Sequence, residues 1–321
     1  MNSSSGPGVL LDNTHDAYRH EAFFYGHLDQ LLDGTVEFIR DALSGDEPIM
    51  VALSADKITA LRGALGADAD AVLFADMAEL GRNPGRIISA WHDFLMGAEA
   101  DGRLVHGIGE PIWPERAAAE IAECQQHEAL LNVAFGDRSF RLRCLYNEAA
   151  LPQCVLDEAL RTHPFVRTHG RSALSACYPG DEALATLGGD PLPEPPPGIG
   201  TLSFQHDDDL GDVRSFVGGM ALQAGLGMAR THDMVLAANE MATNSIRHAG
   251  GPATVRAWSQ SGSFMCEFRD GGHIAEPLVG RLRPAAAGNG GRGFWMAYQL
   301  CDLVQIRVGD AGNVVRLHLD L

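Results

Sequence analysis

The most informative segment of the sequence is Asn239-Glu240-Met241-Ala242-Thr243-Asn244-Ser245-Ile246-Arg247-His248-Ala249-Gly250. It places a carboxylate, an amide and an imidazole four residues apart, at Glu240, Asn244 and His248. At 3.6 residues per turn, these side chains drift by about 40° per step and lie near one face of a helix. The rest of the helix is largely apolar. An ordinary surface helix gains little from this combination of polar and apolar residues. A helix that lies beside a polar ligand gains from it, because the polar side chains can bind the ligand.

The residue types on this face suit phosphate chemistry. A glutamate such as Glu240 can orient or deprotonate an attacking group, and the side-chain oxygen of Asn244 is a hard ligand suited to Mg²⁺. The alternative is an ordinary surface helix with a solvated amide. In that case the helix dipole favours His248 near the C-terminus, and Gly250-Gly251 ends the helix. The helix alone leaves both interpretations open.

A second motif follows at the end of a predicted strand. Apolar residues alternate over Phe264-Met265-Cys266-Glu267-Phe268-Arg269, and the run ends on Asp270-Gly271-Gly272. An aspartate in this position can accept a hydrogen bond from an exocyclic amine such as that of adenine. The glycines let a ligand approach the main chain. An ordinary Asp-Gly turn is the alternative.

The third motif is a glycine-rich loop that opens an apolar helix. Gly288-Asn289-Gly290-Gly291-Arg292-Gly293 leads directly into Phe294-Trp295-Met296-Ala297. Amides of such a loop and of a helix N-terminus can cradle phosphates, and Arg292 adds positive charge. No Gly-Lys-Ser/Thr follows, so this is not a Walker A loop. The loop also lies outside a βαβ unit, which argues against a dinucleotide-binding fold.

In this order, the three motifs resemble the Bergerat ATP-binding fold of the GHKL superfamily, closest to the anti-sigma-factor serine kinases. The resemblance covers residues 199–321 and implies ATP and Mg²⁺ as cofactors. It implies a catalytic role for Glu240, Mg²⁺ binding by Asn244 and adenine binding by Asp270 and Gly272. It assigns the phosphates to the loop, namely to Gly288, Gly290, Gly291, Arg292 and Gly293.

The chain departs from that family at one position. Many relatives continue Asp-x-Gly-x-Gly, whereas position 274 is Ile. In this family the motif is followed by a lid segment, which here corresponds to about His273 to Ala287. The missing glycine affects the expected path of that lid more than it affects adenine binding.

Length, composition and net charge narrow the classes of protein to which the chain can belong. A length of 321 residues suits two domains, and 45% apolar residues can fill two cores. A net charge of −18 argues against direct nucleic-acid binding. The sequence has no membrane-length apolar run and no signal-peptide pattern, so we expect a cytoplasmic protein that does not contact the membrane. The six cysteines form no Cys-x-x-Cys pair.

Proline and glycine density marks a linker at residues 181–198, ahead of the ATPase-like part. The pattern beyond it predicts an α/β sandwich with mixed or antiparallel strands. Residues 1–14 are predicted to be disordered. Between them, at residues 15–180, helix and strand patterns alternate, which predicts a mostly parallel sheet covered by helices.

This first part resembles the MEDS (DcmR-like) sensory domain, a family similar to degenerate RecA/KaiC ATPases. The matching phrases are His20-Glu21-Ala22-Phe23-Phe24-Tyr25-Gly26, Gly107-Ile108-Gly109-Glu110-Pro111-Ile112-Trp113, Cys144-Leu145-Tyr146-Asn147 and Thr162-His163-Pro164. The resemblance implies a sensory role. No phosphate loop joins the first helix and strand, so we expect no nucleotide hydrolysis in this part.

Six residues of the first part are candidates for a shared sensory pocket at the strand ends, where α/β folds bind ligands. They are His20, Tyr25, Glu110, Trp113, Tyr146 and His163. The alternative is that the two larger aromatics are core residues and that the histidines satisfy local backbone groups.

Three functions remain open at this stage. The first is an anti-sigma regulatory factor that phosphorylates a STAS anti-anti-sigma protein on serine or threonine and binds a sigma factor, with both a monomer and a homodimer left open. The second is a sensor histidine kinase, which needs a phosphoacceptor histidine on a helical hairpin ahead of the ATPase domain. The helix from Leu210 carries none, and His206 lies in an acidic turn. The third is a non-catalytic ATP-binding switch that sequesters partners.

Overall fold

A computed structural model of the chain describes residues 18–98, 102–168, 170–180, 190–284 and 291–321. The predicted disordered N-terminus, the first half of the predicted linker, and Gly288 and Gly290 lie outside the described residues. The fold is α/β, with two separate sheets in chain order.

The first sheet has seven strands in the order β3-β2-β4-β5-β1-β6-β7. Strands β1 to β6 run parallel, and only β7 pairs antiparallel, with β6. The mostly parallel sheet predicted from alternating helices and strands is therefore confirmed. Its strands are β1 (Tyr18–Tyr25), β2 (Ile49–Leu53), β3 (Leu73–Asp76), β4 (Val105–Gly109), β5 (Phe140–Asn147), β6 (Phe165–Thr168) and β7 (Arg171–Leu174).

Helices connect these strands and cover both faces of the sheet. They are α1 (Leu28–Ser44), α2 (Ala55–Leu65), α3 (Met77–Leu80), α4 (Ile87–Ala98), α5 (Ala118–Phe135) and α6 (Gln153–Thr162). On α1, Leu31, Thr35, Ile39 and Ala42 are buried, which is the spacing of one helix face. Each face of the sheet has its own core cluster, so side chains that alternate along a strand enter different cores.

The second sheet has five strands in the order β11-β12-β10-β9-β8 and is antiparallel throughout. Its strands are β8 (Gly200–Phe204), β9 (Ala253–Gln260), β10 (Ser263–Asp270), β11 (Leu303–Gly309) and β12 (Gly312–Asp320). Three helices pack against it: α7 (Leu210–Gln223), α8 (Met228–His248) and α9 (Arg292–Leu300). An antiparallel sheet beside a helical layer is the predicted α/β sandwich.

Residues 190–198 contain no helix or strand, as their proline content predicts. These residues are nevertheless held by hydrogen bonds to the second sheet. Glu194 accepts hydrogen bonds from Arg256 and Arg269, and the Pro193 carbonyl accepts one from Arg316 at 2.7 Å. The end of the predicted spacer is therefore bound to the second sheet.

The two parts of the chain contact each other directly. The side chain of Asn83 donates to the Cys301 carbonyl at 3.0 Å. Gly85 lies so close to the ring of Tyr298 that an added Cβ would be 2.1 Å from it. Glu123 on α5, which is almost fully buried, accepts a hydrogen bond from Arg307 on β11 at 2.9 Å. The first part is thus held against the second sheet by polar contacts and close packing.

No helix among the described residues is long and apolar enough to cross a membrane.

Candidate functional site

The motif helix α8 separates its residues by face. Met234, Ala237, Ala238, Met241 and Ala242 are buried in the core of the second part. Glu240 and Asn244 are half-buried, whereas His248 is exposed and occupies the last turn of the helix. The apolar face therefore fixes the helix, and the predicted glutamate and asparagine lie at the edge of the core.

A cavity of about 440 Å³ opens beside these residues. It is lined by Asn244, Asp270, Gly291 and Gly293, which come from all three sequence motifs. Phe268, Ile274, Val279, Phe294 and Val315 supply apolar walls, and Ser245, His248, His273, Glu276 and Asn313 add polar groups. A largely apolar cleft with a few directed polar groups is typical of a small-molecule site.

Asp270, at the end of β10, is held in place by three donors. The Gly272 amide and the Asn313 side chain each donate to Oδ1 at 2.9 Å, and the Ser245 hydroxyl donates to Oδ2 at 2.6 Å. An ionised carboxylate offers about four acceptor positions. The three contacts orient this carboxylate and leave it able to accept from a ligand amine.

The described end of the glycine-rich loop meets the motif helix. Gly291 has φ +82°, a left-handed conformation that favours glycine, and it caps the N-terminus of α9. A Cβ on Gly293 would lie 3.1 Å from both Glu240 Oε2 and Asn244 Nδ2. Gly293 therefore packs closely against the two polar side chains, and a larger residue would crowd them. The contact brings the N-terminus of α9 beside Glu240 and Asn244, and helix N-termini favour anions such as phosphates.

The segment after Asp270 closes one side of the cavity. The Ile274 amide donates to Asn313 Oδ1 at 3.1 Å, so this position is bound where many relatives have glycine. Ile274 and Val279 then pack against the core. Gly280 has φ +68°, and a Cβ there would lie 2.5 Å from Phe294 Cβ. The described part of the predicted lid is therefore closely packed.

The lid also contacts the first part of the chain. Leu278 and Leu282 pack against a core cluster of the first sheet. The buried Arg281 approaches Gln126 at 3.5 Å and Glu123 at 3.9 Å, both on α5. One wall of the cavity is therefore supported by the other domain.

The structure divides the six candidate residues of the sensory pocket. Along β1, His20 and Tyr25 differ by an odd number of positions, so their side chains lie on opposite faces of the sheet. Tyr25 belongs to one core cluster and Tyr146 to the other, and Tyr146 contacts the His163 ring. Trp113 stacks against Arg116. A single pocket containing all six remains a prediction, and the geometry favours two smaller groups.

The first group contains Tyr25, Glu110 and Lys57. The Tyr25 hydroxyl donates to Glu110 Oε1 at 2.5 Å, and the ammonium of Lys57 lies 2.5 Å from Oε2. Burial raises the pKa of Glu110, although Lys57 opposes that shift. Burial and the neighbouring Glu110 also raise the pKa of Tyr25.

The second group contains His20, Glu128, Cys144 and His163, all of them buried. Burial and His163 lower the pKa of His20 to about 4. Burial would raise the pKa of Glu128, but its contacts with His163 and His20 outweigh burial and hold it well below its ordinary value. Burial and Glu128 raise the pKa of the Cys144 thiol well above its ordinary range.

Comparison with known families agrees with this architecture. Residues 19–164 match the MEDS domain, described as the methanogen/methylotroph, DcmR sensory domain. Residues 205–319 match the histidine kinase-like ATPase domain. The chain therefore carries an N-terminal MEDS domain and a C-terminal histidine kinase-like ATPase domain, as both resemblances predicted. An ATPase domain of this family implies ATP binding. A comparison with curated proteins gives no match.

Proposed function

We propose that the protein is an ATP-dependent serine/threonine kinase of the anti-sigma-factor type, which acts on a STAS anti-anti-sigma protein. The observation that carries this proposal is the cavity beside α8. It joins Asn244, Asp270 and Gly293 from three separate motifs, and Glu240 lies next to Gly293. The same geometry supports ATP binding whether or not transfer follows.

The polarity of the cavity favours one orientation of ATP, with adenine at Asp270 and the phosphates toward Gly293. The oriented carboxylate of Asp270 accepts from the exocyclic amine of adenine, while Phe268, Ile274 and Val279 contact the ring faces. The phosphates extend toward Gly293 and the N-terminus of α9, where amides favour negative charge. Both ends of the nucleotide then meet groups of matching chemistry.

Transfer requires a base near the γ-phosphate. Glu240 takes the proton from an incoming serine hydroxyl while the hydroxyl oxygen bonds to the γ-phosphorus. The bond from the γ-phosphorus to the bridging oxygen breaks, and ADP leaves. When bound, Mg²⁺ neutralises charge on the phosphates, and the side-chain oxygen of Asn244 is the residue that would hold it. The half-buried position of Asn244 beside Gly293 fits that role.

The segment ahead of the ATPase domain argues against a histidine kinase. Helix α7 carries no histidine, and residues 190–198 before β8 form no helix. His206 lies at the start of a short turn rather than on a hairpin helix. The described residues therefore offer no phosphoacceptor of the expected kind.

Contacts between the MEDS domain and the lid support a regulatory role for the MEDS domain. The lid residues Leu278, Arg281 and Leu282 contact the MEDS domain. Two other lid residues, Ile274 and Val279, line the cavity. We infer that a signal in the MEDS domain changes how the lid is supported. This change would set ATP affinity or kinase activity, and with it the sequestration of a sigma factor.

Phosphotransfer from radiolabelled ATP to candidate STAS proteins tests this proposal. We expect acid-stable phosphoserine or phosphothreonine on the partner. Glu240→Gln should lower the transfer rate by roughly 10²- to 10⁴-fold while ATP binding persists. The matched control is Glu276→Gln, a change of the same type in a glutamate that lines the same cavity.

Two outcomes would replace the proposal. Acid-labile phosphate on a histidine of the chain itself would indicate a histidine kinase. ATP binding with no phosphate on any STAS protein would indicate a non-catalytic switch that acts by binding partners.

A further inference from the structure

Four buried side chains from separate elements of the MEDS domain converge on one point. His20 is on β1, Glu128 on α5 and Cys144 on β5, and His163 follows α6 directly. His20 Nε2 lies 3.1 Å from Glu128 Oε2 and 3.3 Å from Cys144 Sγ, and His163 Nε2 lies 3.3 Å from the same carboxylate oxygen. One ligand atom from each residue lies within 4.8 Å of all the others.

Neighbouring groups fix which nitrogen of each histidine faces this point. His163 Nδ1 lies 2.8 Å from the Ala159 carbonyl, which can only accept, so Nδ1 carries the proton. His20 Nδ1 lies 3.0 Å from Asn132 Oδ1, and the Asn132 amide nitrogen donates to the Thr162 carbonyl at 2.8 Å. That second bond sets the orientation of the amide. In the neutral form of each ring, Nε2 therefore presents its lone pair to the cluster.

Two buried polar atoms of the cluster are unpaired. Among the residues that the structure describes, His163 Nε2 and Glu128 Oε1 have no hydrogen-bond partner, and their side chains are 0% and 1% exposed. Burying unpaired polar atoms costs roughly 1–3 kcal/mol each, and more for a charged group. Two imidazole lone pairs, a carboxylate and a sulfur that face one another are stabilised by a cation at their centre.

We propose that His20, Glu128, Cys144 and His163 form a closed site for one divalent transition-metal ion, with zinc as the best match. Structural zinc sites take four nitrogen, sulfur and oxygen ligands in a tetrahedron. Metal–ligand distances of about 2.0–2.3 Å place tetrahedral ligand atoms about 3.3–3.8 Å apart. Three of the contacts, at 3.1 to 3.3 Å, are close to that spacing, and the other pairs of ligand atoms lie within 4.8 Å. The hydrogen bonds that Nδ1 of both histidines donates are the outer-shell contacts that zinc-binding histidines make.

Such an ion would join four elements of the sensory domain. It would also tie α5, which carries Glu128, to the central strands β1 and β5. The same helix carries Glu123, which contacts the ATPase domain. Occupancy of the site would therefore stiffen the helix that faces the other domain.

Metal content and cobalt spectroscopy on the full chain test the site. The wild type, grown with added zinc and freed of loosely bound metal, should hold one zinc per chain by mass spectrometry. After exchange with Co²⁺ it should give tetrahedral ligand-field bands and a thiolate-to-cobalt charge-transfer band. Cys144→Ser should lose the charge-transfer band, and His163→Gln should lose the bound metal. Asn132→Ala, which removes the outer-shell contact of His20 and leaves all four ligands in place, should weaken zinc affinity roughly 10- to 100-fold.

Cys124→Ser is the matched control, because Cys124 is equally buried on α5 but donates to the Pro111 carbonyl instead. It should keep both the metal and the charge-transfer band. Circular dichroism establishes that each variant is folded. If the two ligand variants do not fold, the wild-type stoichiometry and cobalt spectrum still decide. Folded wild type that takes up neither zinc nor cobalt, even when refolded with excess metal, would overturn the proposal. A Cys144→Ser spectrum identical to that of the wild type would overturn the assignment of the ligands.

Discussion

Glu123 is a buried charged residue at the contact between the two domains. Its side chain is 2% exposed and lies 2.9 Å from Arg307 and 3.9 Å from the buried Arg281. Removing one partner from a buried ion pair costs about 3–5 kcal/mol, because the other charge stays buried without compensation. For Glu123→Ala, this cost corresponds to a drop of roughly 6–20 °C in Tm, at about 2–4 °C per kcal/mol for domains of this size.

Scanning calorimetry measures that drop, and Glu37→Ala is the matched control. Glu37 also pairs with an arginine at 2.8 Å, but its side chain is 59% exposed. An exposed pair contributes about 0–1 kcal/mol, so Glu37→Ala should change Tm by no more than roughly 4 °C. The reasoning would be refuted if Glu123→Ala lowered Tm no further than Glu37→Ala does.

Three further results are expected. Gly85→Ala places a Cβ 2.1 Å from the Tyr298 ring, so it should separate the domains and speed hydrogen exchange in α9; unchanged exchange would contradict the contact. Ser245→Ala removes one of three donors to Asp270 and should weaken ATP binding several-fold by calorimetry, at about 0.5–1.5 kcal/mol per hydrogen bond. Burial and Arg316 lower the pKa of His318 to about 4. Because the pKa of His318 is lower in the folded than in the unfolded chain, the unfolded chain takes up this proton at a higher pH. The free energy of unfolding should therefore keep its full value above about pH 6.5 and decline toward pH 4, by roughly 2 kcal/mol between pH 6.5 and 5. Chemical denaturation of His318→Gln should show a flatter pH dependence.

The ATPase domain was the more predictable half of the chain. Its site is assembled from three short motifs, each of which carries its own local signal: helix spacing, a strand that ends on Asp-Gly, and a glycine loop. The structure brings Asn244, Asp270 and Gly293 to one cavity. It adds Ser245 and Asn313, which sequence reasoning missed. Ser245 follows Asn244 directly, but its contact with Asp270 depends on how α8 lies across β10. The contribution of Asn313 depends on the pairing of β10 with β12.

The MEDS domain was less predictable because its polar residues meet only through long-range pairing. The sequence did not identify Tyr18–Tyr25 as a strand, since buried polar residues interrupt its alternation. Once this segment is known to be a strand, the alternation of side chains along it is enough to assign His20 and Tyr25 to opposite faces of the sheet. Glu128 belongs to no motif, because it lies within a long helix, and Cys144 entered only as part of a phrase that matches the family, not as a candidate ligand. Their meeting with His20 depends on β1 pairing with β5.

Calorimetric titration of the full chain with ATP, with and without Mg²⁺, is the decisive measurement for an ATP site beside α8. Asp270→Ala should weaken ATP binding under both conditions by roughly 10- to 150-fold, the equivalent of about 1.5–3 kcal/mol for a hydrogen bond to a charged group. Asn244→Ala should remove the Mg²⁺-dependent part of the affinity and leave metal-free binding unchanged. Folded variants that both bind ATP as tightly as the wild type does, with and without Mg²⁺, would contradict the assignment of this cavity as the ATP site.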